Sequence, residues 1–157
     1  MALSRFGILA LAFVALLGGV GVALWQNSSD SSTQVLLDYG LEPLPCDLNK
    51  RPCQVKAAKQ TITFDLTPRP LEVMGDTLVR IEGLDSELFS SNPSIRIFGL
   101  NMDMGKIITS LTQTAPGRYE AKVALSACLV ENIMRYRIAL YDGNTPLDIF
   151  VDFDLWR

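Results

Sequence analysis

MRYRIALYDGNTPLDIFVDFDL, residues 134–155, decides the fold. Met134, Tyr136, Ile138 and Leu140 alternate with Arg135, Arg137 and Ala139, and beyond Asp142-Gly143-Asn144 the residues Leu147, Ile149, Val151, Phe153 and Leu155 alternate with Asp148, Asp152 and Asp154. Successive side chains of a β-strand point to opposite faces, so a period of two sets an apolar row against a core and a polar row toward water. Asp-Gly-Asn supplies the turn chemistry between the two rows.

The same pattern recurs upstream. Ile62, Phe64 and Leu66 alternate with Thr61, Thr63 and Asp65, and Tyr119, Ala121 and Val123 alternate with Arg118, Glu120 and Lys122. Weaker strand candidates run from Thr77 to Ile81, Ser94 to Leu100 and Lys106 to Thr112, punctuated by Ser91-Asn92-Pro93 and Ala115-Pro116-Gly117. Roughly seven or eight short strands at spacings near ten residues predict an all-β domain, an immunoglobulin-like antiparallel β-sandwich, over residues 41–157.

The N-terminal part has a different character. Phe6 to Trp25 is an uninterrupted run of twenty apolar or small residues without a charge. As a helix it would cover about 30 Å, the hydrocarbon thickness of a bilayer. Arg5 precedes it, while Gln26, Asn27, Ser28, Ser29 and Asp30 follow it without a positive charge, so the positive-inside bias places the N-terminus in the cytoplasm. The sequence thus predicts a signal-anchor: residues 1–5 cytoplasmic, a transmembrane helix over 6–25, a tether over 26–40 and a periplasmic domain over 41–157. A cleaved signal peptide ending near Gly21-Val22-Ala23 is the alternative, and both routes export the domain. Ala15, Gly19 and Ala23 share one helix face and offer a small-residue stripe for helix pairing.

Composition narrows the function. The chain has 157 residues, 17 acidic against 14 basic, for a formal net charge of −3. Its cations are dispersed, which argues against nucleic-acid binding. It contains no histidine, so the commonest general base and the commonest metal ligand are both missing. No nucleophile elbow, phosphate loop or acid–base set is visible, and the expectation is a protein that is not an enzyme.

Two groups of residues could carry chemistry. Cys46 and Cys53 flank a polar stretch and each follows a proline; in an exported domain a Cys46–Cys53 disulfide is the favoured pairing, with Cys128 as the odd thiol. A bridge from Cys128 to one of the other two is the competing connectivity. The second group is Asn101-Met102-Asp103-Met104-Gly105, in which an extended backbone would point Met102 and Met104 the same way. Thioethers and thiolates suit Cu(I), so Met102, Met104 and Cys128 form a candidate soft-metal set, with Met74 a weaker addition. The alternative is that Phe98, Leu100, Met102 and Met104 simply continue a core stripe. Asp148, Asp152 and Asp154 are expected on a solvated face.

The layout resembles a family of small proteobacterial envelope proteins: an anchor, the Pro45-Cys46 to Cys53 entry, the Asn101 to Gly105 turn, the Pro116-Gly117-Arg118-Tyr119 strand start, and Cys128 followed by Met134-Arg135-Tyr136. It is also similar in layout to the FixH and YtkA-like groups. The resemblance covers residues 41–141 and implies an inner-membrane accessory protein that accompanies Sco-type copper chaperones and oxidase assembly. A Sco-type chaperone or a cytochrome oxidase subunit would then be the partner, with copper the metal. The rival expectation is an interaction module of an envelope complex that holds no metal.

Overall fold

Wherever the period-two pattern is strong, it folds as a strand with its apolar row turned inward. The computed structural model describes residues 33–57, 60–89, 92–128 and 130–157. Its strands are β1 (Cys53–Ala57), β2 (Gln60–Thr67), β3 (Asp76–Glu82), β4 (Pro93–Gly99), β5 (Lys106–Ser110), β6 (Thr112–Ala115), β7 (Arg118–Ala124), β8 (Ile133–Asp142) and β9 (Thr145–Trp156). A five-stranded sheet has the order β1-β2-β3-β7-β6 and a four-stranded sheet the order β5-β4-β8-β9. All pairings are antiparallel.

The two inner faces share one core. Ile62, Phe64 and Leu66 of β2, Val79 and Ile81 of β3 and Tyr119 and Val123 of β7 meet Ile95 and Ile97 of β4, Tyr136, Ile138 and Leu140 of β8 and Val151 and Phe153 of β9 in a single hydrophobic cluster. The arrangement is a β-sandwich. Each fully buried Leu, Ile, Val or Phe contributes about 1.5–3 kcal/mol, which is why so regular an alternation suffices to specify the layers. Tyr136 and Phe153 stack across β8 and β9 with ring centroids 5.6 Å apart.

Residues 46–53 close one side of this core. The Cys46–Cys53 disulfide forms as the sequence favoured, which leaves Cys128 a free thiol. Asp47 organises the loop between the two cysteines: its side chain accepts from the Asn49 amide at 2.9 Å, and its carbonyl accepts from the Lys50 and Arg51 amides. Leu48 is thereby turned inward and is fully buried. Asn49 locks the loop in place, donating to the Asp154 carbonyl at 2.7 Å and accepting from the Leu71 amide at 3.1 Å.

Several elements differ from the sequence expectation. β1 was not foreseen, because Cys53, Val55 and Ala57 are a short and weakly apolar row. The span from Lys106 to Thr112 divides at Leu111, where the chain passes from the four-stranded sheet to the five-stranded one. Asp152 and Asp154 are not solvated carboxylates: Arg137 chelates Asp152 at 2.7 and 2.9 Å, and Arg135 chelates Asp154 at 2.8 and 2.9 Å. The reason is register, since β8 and β9 pair Arg137 with Asp152 and Arg135 with Asp154 directly across the ladder.

The chain divides into two compact units, Met1–Pro43 and Leu44–Arg157, and the sandwich is the second. In the first, residues 33–38 within the expected tether are helical. That helix ends at Gly40, whose φ is 68°, with the Gly40 amide donating to Leu37 and the Leu41 amide to Leu36. The expected transmembrane helix over 6–25, with its stripe of Ala15, Gly19 and Ala23, lies outside the described residues. Among the described residues no helix is long and apolar enough to cross a membrane.

Candidate functional site

Met102, Cys128 and Met134 lie about the end of β4 and the start of β8. β4 stops at Gly99, but its pairing with β8 is prolonged by other means. The Leu100 amide donates to the Arg135 carbonyl at 2.7 Å, after which the Asn101 side chain takes over the ladder, donating to the Ile133 carbonyl at 3.1 Å and accepting from the Arg135 amide at 3.0 Å. A side-chain amide thus stands in for a strand residue.

This explains the local sequence. The Met102 carbonyl folds back against Gly99 so closely that a Cβ at position 99 would collide with it. Asp103 then accepts from the Gly105 amide at 2.9 Å, and Gly105 takes φ 80° to send the chain into β5. Asn101-Met102-Asp103-Met104-Gly105 is a turn and not an extended run, so the expected common direction of Met102 and Met104 does not arise. The core-stripe alternative describes Met102, which packs against the core, but not Leu100 or Met104, which are exposed. Ile95 and Ile97 are the inward residues of β4, whereas Phe98 stands on the other face opposite Lys106 and Arg137.

Met102 is half-buried and packs against the core, while Met104 is exposed. Met74 is more exposed still, in the turn before β3 and at positive φ, and its amide donates to the Leu125 carbonyl. Cys128 is half-buried and also packs on the core. The residue that links these parts is Met134, which the sequence marked only as an inward strand position. Its Sδ accepts from the Cys128 amide at 3.0 Å and lies 3.7 Å from the Tyr136 hydroxyl oxygen, and its methyl group lies 3.7 Å from where a Gly99 Cβ would stand.

Tyr136 completes the cluster. Its hydroxyl donates to the Ser126 carbonyl in a short hydrogen bond, tying β8 to the segment that carries Cys128. Burial pushes the phenol above its ordinary range, and the nearby Cys128 adds to the effect. Met134 and Tyr136 thus both hold residues 126–128 against the start of β8.

Among the described residues no three Cys, Asp or Glu side chains converge to hold a metal, so thioethers are the donors left to weigh. Met134 accepts from the Cys128 amide and is almost fully buried, which among the described residues leaves Met74, Met102, Met104 and Cys128 as the less buried sulfurs outside the disulfide. A Cu(I) ion would take such a set without needing histidine. No family model matches the chain, and neither a curated protein nor a solved structure matches it significantly.

Proposed function

We propose that this chain is a non-enzymatic accessory protein of the bacterial inner membrane, anchored by residues 6–25, with an immunoglobulin-like sandwich in the periplasm that offers soft sulfur donors to Cu(I). Met102, Met104 and Cys128 are the proposed ligands, and delivery of copper to a respiratory oxidase, alone or with a Sco-type chaperone, is the proposed service. The immunoglobulin-like reading is supported by the strand order, in which β3 pairs with β7 in one sheet and β4 with β8 in the other. The exported location is supported by the apolar run and by a disulfide between Cys46 and Cys53, a bond typical of oxidising compartments.

The observation that carries the metal reading is the free thiol of Cys128 beside Met134, at the same end of β8 as the Met102 turn. A second reading rests on a different feature of that cluster. Because Met134 accepts from the Cys128 amide and Met102 and Cys128 pack on the core, the sulfurs also make sense as packing, in which case the protein is a metal-free interaction module. Competition for Cu(I) separates the two. The full chain in a mild detergent, kept under a non-thiol reductant, is expected to withdraw one copper per chain from a chromogenic chelator, and to lose that ability when Met102, Met104 and Cys128 become Leu, Leu and Ser. No withdrawal by the unaltered chain refutes the copper role and leaves the interaction module.

A further inference from the structure

The outer faces of the two sheets are chemically unlike. On the five-stranded sheet the outward row is polar and internally paired, with Arg80 between Glu120 and Asp65, Arg69 on Asp65, and Arg118 on Glu82. The outward face of the four-stranded sheet instead carries Ile108, Phe98, Tyr141 and Phe150 among arginines. Ile108 is 62% exposed and Phe150 41% exposed, far more than core residues of either type. Arg137 lies over the Phe150 ring and Arg96 over the Tyr141 ring, both at 3.9 Å. Exposed aromatic rings stacked with arginine are the composition found at the centres of protein interfaces.

The ladder registers turn this face into a grid. One row across the sheet reads Ile108, Arg96, Ala139, Phe150; the next reads Lys106, Phe98, Arg137, Asp152. The cation Lys106 thus sits on one edge strand and the carboxylate Asp152 on the other, in the same row. Ile108 and Phe150 likewise hold the two edges of one row, and Phe98 and Arg137 the two inner strands of the other.

We propose that this face docks a second copy of the chain about a two-fold axis parallel to the strands. Such an axis lays β5 on the second copy's β9 and β4 on its β8 while keeping the rows aligned, the packing that face-to-face sheets favour within about 30°. Ile108 then meets Phe150 of the second copy, Phe98 meets its Arg137, and Lys106 meets its Asp152. No two like charges oppose each other. An axis across the strands would instead set β5 on β5 and leave Lys106 near its own symmetry mate, with no carboxylate opposite. The apolar and aromatic pairs supply the affinity, and the edge charges fix the orientation. The buried Arg96 Nε, which has no hydrogen-bond partner among the described residues, lies in the row of Ile108 and Phe150. The proposal does not depend on the copper reading.

Cysteine cross-linking of the full chain reads the face directly. Within one copy Ile108 and Phe150 stand on opposite edges of the sheet, three strand spacings or about 14 Å apart, too far for a disulfide. In a Cys128→Ser background, chains bearing Ile108→Cys and chains bearing Phe150→Cys are mixed in detergent and oxidised. The expected result is a covalent 108–150 dimer in about tenfold excess over that formed by either variant alone, and its loss when Phe98→Asp is added. Retention of the native melting transition in each variant shows that loss of cross-linking is not loss of fold. An equal yield from the Ile108→Cys chain alone, or no cross-link at concentrations of tens of micromolar, overturns the proposal. Absence of the cross-link together with co-sedimentation on anionic vesicles would assign the face to a lipid surface instead.

Discussion

Arg135 and Asp154 form a two-pronged ion pair, 2.8 and 2.9 Å, in which each side chain is only 10% exposed. The pair spans β8 and β9 on the outward face, next to the point where Asn101 holds the Arg135 amide. Removing one partner strands the other away from water, so Asp154→Ala is expected to destabilise the sandwich by about 3–5 kcal/mol. The double change Arg135→Met with Asp154→Leu is expected to cost much less, because neither charge is left unpaired. Urea unfolding of the single and double variants measures the contrast, and equal losses would contradict it.

The disulfide holds Leu48 in the core as well as closing the loop. Cys46 and Cys53 are seven residues apart, and a loop of that size restrains the unfolded chain by about 2–3 kcal/mol. Cys46→Ser with Cys53→Ser is expected to lower the unfolding midpoint accordingly, and Leu48→Ala in the oxidised protein to cost about 2–5 kcal/mol more. Chemical denaturation with and without reductant tests both.

Tyr136 makes stability fall at alkaline pH. Its ordinary pKa is 10.0, and burial raises the folded value above that. Above about pH 10 the unfolded chain gives up this proton while the folded chain keeps it, so the unfolded state binds fewer protons and stability declines as pH rises toward the folded pKa. Tyr136→Phe is expected to flatten this decline. At neutral pH the same variant is expected to lose about 1–3 kcal/mol, because the Ser126 carbonyl loses its donor. Denaturation curves at pH 7 and pH 10.5 separate the two effects.

Gly99 is the position where the Met102 turn is most easily disturbed. A methyl group there would collide with the Met102 carbonyl, a backbone atom that cannot swing aside. Gly99→Ala is expected to destabilise by about 1–3 kcal/mol and to shift the resonances of Asn101 and Arg135 more than those of β2 or β3. A variant with wild-type stability and unshifted spectra would contradict the description of this turn.

The layered fold was legible because Ile62 to Leu66, Tyr119 to Val123 and Met134 to Leu155 repeat apolar residues with a strict period of two. β1 was not, since its row of Cys53, Val55 and Ala57 is too short and too small to stand out. Leu48 was hidden in a polar stretch, and only the fold shows that Asp47 and Asn49 turn it inward. At the candidate site, the turn chemistry of Asn101 to Gly105 was visible, whereas the parity of Phe98 and Leu100 misled because Ile95 and Ile97 take the inward face of β4. Met134 could not have been identified as the link between Cys128 and the turn: its partners are backbone and hydroxyl groups brought in by tertiary contacts. The Arg135–Asp154 and Arg137–Asp152 pairs likewise depend on a register that alternation alone does not set.

The proposed copper role in the envelope requires the sandwich to mature outside the cytoplasm. Fusing alkaline phosphatase, which is active only after export, and a fluorescent protein that matures only in the cytosol, each after Arg157, tests this in a single pair of strains. The account predicts phosphatase activity without fluorescence; fluorescence without phosphatase activity would contradict it.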